Sequence, residues 1–98
     1  MPYISQEYRE RYDALVDQLV KVMMQESLTY GVRDANTTKG HHNYIMYTLA
    51  IKLADELGIR YHTLQDIIGT FECCKLELYR KIIAPYEEKA IEKNGDVK

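Results

Sequence analysis

The 98-residue sequence has no tryptophan, a single phenylalanine, two prolines and two cysteines. No apolar run approaches the roughly 20 residues that span a bilayer, which excludes a transmembrane helix. The opening MPYISQEYRE lacks the charged-then-apolar layout of a secretion signal, so a cytoplasmic protein is expected. The two cysteines, Cys73 and Cys74, are neighbours. Adjacent thiols rarely meet the geometry of a disulfide with each other, and a reducing compartment fits them. Charge of one sign is also missing. The formal net charge is -2, without the basic field of a general nucleic-acid binder.

Against these shortages stands an abundance of tyrosine, nine residues. Tyrosine couples apolar area to a hydroxyl and suits surfaces that are half buried or that bind something. Hydrophobic residues make up 46% of the chain, enough for a globular fold. The length corresponds to one domain, close to the lower limit for a self-sufficient core.

The periodicity predicts an all-α fold. A first helix over about 6–26 follows Ser5 as N-cap, with Tyr8, Tyr12, Leu15, Val16, Leu19, Val22 and Met23 as its apolar stripe. The segment SLTYGVRDANTTKGHHN has turn formers and no period, and reads as a long loop at about 28–41. A second helix over about 42–57 ends at Gly58. It is apolar nearly all round, as in a helix buried from several sides. A third helix over about 63–83 begins at Thr63, which pairs with Asp66 in a capping pattern. It ends before Pro85, because proline lacks the donor and disfavours helix just ahead of itself. A short fourth helix over about 86–94 is closed by Asn94-Gly95. Residues 1–98 are therefore read as a single helical domain.

The third helix carries a main stripe, Leu64, Ile67, Ile68, Phe71, Cys74, Leu78 and Ile82, and a second one of Gly69, Cys73, Leu76 and Ile83. Two stripes exceed what so small a monomer covers, so the second is read as the interface of a homo-oligomer, a dimer or larger.

Candidate chemistry is sparse. The segment LADELGIRYHTLQDIIG has the cadence of a helix-turn-helix, with Ala54 four residues before Gly58. Its basic residues are only Lys52 and Arg60, against Asp55, Glu56 and Asp66. Phosphate contacts dominate DNA affinity, so the balance favours a structural corner over DNA binding. His41 and His42 point about 100° apart on a helix and do not chelate one ion well, and no metal spacing accompanies them. No activated nucleophile, matched acid–base pair or phosphate loop is visible, so no enzyme and no cofactor are expected. What remains is cations beside tyrosines. Arg33, Lys39, His42, Asn43, Tyr44, Lys75, Tyr79 and Arg80 form the candidate ligand-binding set, suited to a nucleotide-like or other small anionic molecule.

Several motifs have a familiar look. Met1 to Ile4, Asn43-Tyr44, Glu72, Glu77, Tyr79-Arg80, Pro85-Tyr86-Glu87 and Asn94 to Val97 resemble a small uncharacterised family scattered through bacteria and bacteriophages. The resemblance covers most of the chain. Lys81 and Glu88 stand where that family commonly has Arg and Asp, and the loop at 28–42 looks longer than usual. The resemblance implies a small accessory protein and carries no activity. Compact phage proteins that sequester signalling nucleotides offer an analogy of size and composition. The expectation is thus a non-catalytic, homo-oligomeric binding protein, with a helix-turn-helix regulator or a structural protein-interaction subunit as alternatives.

Overall fold

The computed structural model describes residues 2–28 and 35–98, with no side chains described at 27–28 and 35–37. The described residues are helical apart from short termini and turns, with no strand among them. The helices are α1 (Gln6–Leu28), α2 (Ala35–Leu57), α3 (Tyr61–Leu78) and α4 (Ala84–Asn94), and a π-helical turn, Tyr79–Ile83, joins the last two into one rod. The all-α expectation holds.

The caps follow the sequence closely. The Ser5 carbonyl accepts from the amides of Tyr8 and Arg9, both at 3.1 Å, which starts α1 where the N-cap was expected. Gly58 and Gly95 follow α2 and α4 with φ of +92° and +87°. Only glycine takes that left-handed backbone without strain. The Gly95 amide donates to the Ile91 carbonyl at 2.7 Å and closes the last turn.

Two boundaries differ from expectation. α2 starts at Ala35 rather than His42, so the second half of the expected loop is helix. Residues 35–41 carry no apolar period to announce this. A helix nucleated by the run from Tyr44 onward extends at small cost per residue. The other half of that loop, 29–34, lies outside the described residues. At the far end, Pro85 does not interrupt the chain as a helix-breaker. The Ala84 amide bonds to the Tyr79 carbonyl, five residues back, and the proline falls in the first turn of α4, where its missing donor costs nothing. α3 itself begins at Tyr61, so Thr63 lies in its first turn rather than ahead of it.

The chain divides into two compact units, Ile4–Arg60 and Met1–Tyr3 with Tyr61–Lys98. In the first, α1 packs on α2. In the second, α3, the π turn and α4 are continuous. Burial is slight in both. Among the described residues only Ala54 and Thr63 are buried. The α1 stripe expected to form core, from Tyr8 to Val22, is exposed, and so are Tyr44, Tyr47, Leu49 and Leu53 of the nearly all-apolar α2. Amphipathic periodicity reports which side wants cover and does not say what supplies it.

Candidate functional site

Within the unit Ile4–Arg60, α1 and α2 enclose an open groove of about 680 Å³. Leu19, Val22 and Met23 of α1 face Tyr44 and Ile45 of α2, and Glu26, Lys39 and His41 are the ionisable side chains along it. The wall is mainly apolar, with few polar groups to orient a ligand, and the volume is within the ordinary range for small molecules. Of the candidate binding residues, Lys39 and Tyr44 meet here. His42 and Asn43 stand on α2, exposed, and do not line the groove. Arg33 lies outside the described residues. Glu26 and His41 are additions. The eventual α1–α2 pairing was the missing signal, since neither residue breaks the pattern of its own helix.

The remaining candidates, Lys75, Tyr79 and Arg80, belong to the other unit, and each has a partner. Lys75 Nζ pairs with Glu72 Oε1 at 2.9 Å, both well exposed. The Tyr79 hydroxyl donates to Glu87 Oε2 at 3.1 Å. The negative charge accepting that bond pushes the Tyr79 phenol above its ordinary range. Arg80 Nη2 donates to both Glu77 oxygens, at 2.7 and 3.2 Å.

Glu77 is the centre of a larger cluster. Its carboxylate, only 18% exposed as a side chain, also accepts from the hydroxyl of Tyr3 at 3.0 Å. Arg80 Nη2 reaches the same hydroxyl oxygen at 3.3 Å. Lys81 Nζ stands over the Tyr3 ring, 5.2 Å from its centroid, within cation–π range. The guanidinium of Arg80, aided by the Tyr3 hydroxyl and by the charges of Arg80 and Lys81, holds Glu77 below the usual carboxylate range against the opposing effect of desolvation. The pairing pushes Arg80 up. Tyr3 and Glu77 were absent from the candidate binding set, although both lie among the motifs that carry the family resemblance.

The proposed interface residues all lie on the rod, Gly69, Cys73 and Leu76 on neighbouring turns of α3 and Ile83 at the end of the π turn. Gly69, Cys73, Leu76 and Ile83 are all exposed. A Cβ placed on Gly69 would meet nothing within 4 Å. The shallow depression beside it is formed by Tyr61, Leu64, Gln65, Ile68 and Glu72. Among the described residues no three His, Cys, Asp or Glu side chains gather as metal ligands, and no helix is long and apolar enough to cross a membrane.

Comparison with curated proteins and with solved structures returned no match. A family model does match, over residues 1–97, and the chain belongs to the family described as Domain of unknown function (DUF6899).

Proposed function

We propose that this is a non-catalytic binding protein that works as a homo-oligomer, with the α1–α2 groove as its ligand site. The observation that carries the assembly is the apolar surface of the rod. Tyr61, Ile68, Leu76, Ile82, Ile83 and Tyr86 are 78, 67, 55, 62, 40 and 74% exposed. Single exposed hydrophobes are ordinary on a monomer, whereas several on neighbouring turns of one rod mark an interaction surface.

A second copy is the occupant this surface suits. The charges flanking it, Glu72 and Lys75, already neutralise each other, and a net charge of -2 sets up little repulsion between copies. Gly69 in mid-helix costs about 1 kcal/mol relative to alanine. Among the described residues no close neighbour explains it, whereas a helix from another copy crossing there would. Light scattering at micromolar concentration tests the assembly, and a mass of 11.5 kDa throughout would overturn it.

For the groove, Lys39 is the cation and Tyr44 the aromatic face, against apolar α1 side chains. That combination suits a flat molecule with an anionic group, a nucleotide being one chemical class. Lys75 and Arg80 are engaged with Glu72 and Glu77, which shifts the proposed anion contact to Lys39. A thermal-shift screen of linear and cyclic nucleotides tests this; no shift with any of them sinks the nucleotide reading. Exposed Cys73 and Cys74 suit a reducing cytoplasm.

The glycine-capped turn after α2, with Ala54 fully buried one turn earlier, favours a helix-turn-helix as the second reading. Retardation of DNA at low salt would support it, and its absence would remove it.

A further inference from the structure

The cluster around Glu77 does more than tie down a terminus. Every feature of a tyrosine side chain is met there by a different residue of the rod. The hydroxyl proton goes to the Glu77 carboxylate at 3.0 Å. The hydroxyl oxygen accepts from Arg80 Nη2 at 3.3 Å. The ring face lies under Lys81 Nζ at 5.2 Å. Arg80 and Glu77 also pair with each other at 2.7 Å, which brings donor and acceptor together on one face of the rod. The strand of chain that brings the phenol is not helical: residues 2–5 precede α1.

We propose that Glu77, Arg80 and Lys81 form a tyrosine-recognition site, filled in this chain by its own Tyr3. The proposal is independent of the α1–α2 groove and of self-association. The site discriminates in two directions. Phenylalanine fills the ring position but leaves Glu77 and Arg80 without their shared partner. Phosphotyrosine brings a dianion against the Glu77 carboxylate, and like charges at contact distance repel. The site is thus unlike an arginine pocket that reads phosphate. The arm is a removable occupant, and a tyrosine on another non-helical segment competes for the place.

The test uses full-length variants and nuclear magnetic resonance. Tyr3→Ala vacates the site and is expected to move the amide signals of Glu77, Arg80 and Lys81. Adding the peptide N-acetyl-Pro-Tyr-Ile-amide to that variant moves them back. The phenylalanine analogue requires at least about tenfold more peptide, as loss of a hydrogen bond to charged groups demands, and the phosphotyrosine analogue binds no better than phenylalanine. Tyr3→Phe, which keeps the ring, is expected to move Glu77 and Arg80 while leaving the ring-shifted Lys81 side-chain signals in place. Unmoved 77–81 signals in both variants overturn the proposal. So do equal binding of the tyrosine and phenylalanine peptides, or tighter binding of the phosphopeptide.

Discussion

Glu77 accepts from donors that come from opposite ends of the sequence, Tyr3 and Arg80. Because its folded pKa lies below the ordinary carboxylate value, the ionised form is favoured by folding. The stabilisation is then fully present above the unfolded pKa and is lost as pH falls through the depressed folded value. The arm should stay docked across neutral pH and detach in acid. The Tyr3 ring signals followed by nuclear magnetic resonance against pH read this, and are expected to move to free-chain positions on the acid side. Glu77→Gln keeps the shape and removes the titration, so its ring-signal profile should be flat where the parent's is not. An unchanged acid transition in Glu77→Gln would assign the titration to another group.

At the scale of the helices, the π turn sets which residues can meet. Residues eight apart on an α-helix project about 80° from each other. One extra residue absorbed by a π turn reduces this to about 20°. That is why the Tyr79 hydroxyl finds Glu87 at 3.1 Å across the Tyr79–Ile83 turn. The turn exists because Pro85 offers no amide donor and its ring would crowd the carbonyl four residues back. Pro85→Ala removes both constraints, and the rod should relax to a regular α-helix with the Tyr79–Glu87 bond broken. Since that bond raises the Tyr79 phenol, an ultraviolet titration of the tyrosines should show one phenol moving down toward its ordinary range. Glu87→Gln should lower the same phenol while keeping the π turn.

These elements also show how far the sequence could be read. Glycines at 58 and 95 and the serine at 5 announced three helix ends, because capping is local chemistry. Pro85 announced a break, and the chain made a wider turn instead. The sequence names the missing donor and leaves open how the backbone reroutes around it. The start of α2 at Ala35 was invisible because helix extension needs no apolar period. For the sites, Lys39 and Tyr44 were legible as a cation and an aromatic on one helix. Their α1 partners, and the docking of Tyr3 beside Glu77 and Arg80, depend on contacts at long sequence separation that no local pattern encodes. Gly69 tests the element scale directly. Alanine there meets no neighbour within 4 Å among the described residues and should gain up to about 1 kcal/mol of helix stability. Its methyl should at the same time weaken association of the rods. A higher melting temperature with unchanged assembly would move the interface away from Gly69.

For the whole molecule, the question is what offsets the entropy of ordering so many residues. Fixing one residue costs about 1–2 kcal/mol, and only Ala54 and Thr63 are buried among the described residues. A chain that exposes Ile68 and Leu76 on one side of a rod has left much of its hydrophobic stabilisation to be collected elsewhere. Replacing both residues by glutamate separates the two possibilities by sign. If the exposed positions stay in water, the change is a surface substitution, within about 0.5 kcal/mol per site, and melting is the same at every protein concentration. If a second copy covers them, the double variant Ile68→Glu, Leu76→Glu buries four carboxylates in an apolar contact and abolishes association. The parent's melting temperature should then rise with protein concentration, as mass action requires for an assembly that stabilises the fold. The double variant should melt lower, with no concentration dependence and the mass of a monomer. Identical melting of parent and variant across a hundredfold range of concentration would show that the rod carries its apolar face without a partner copy.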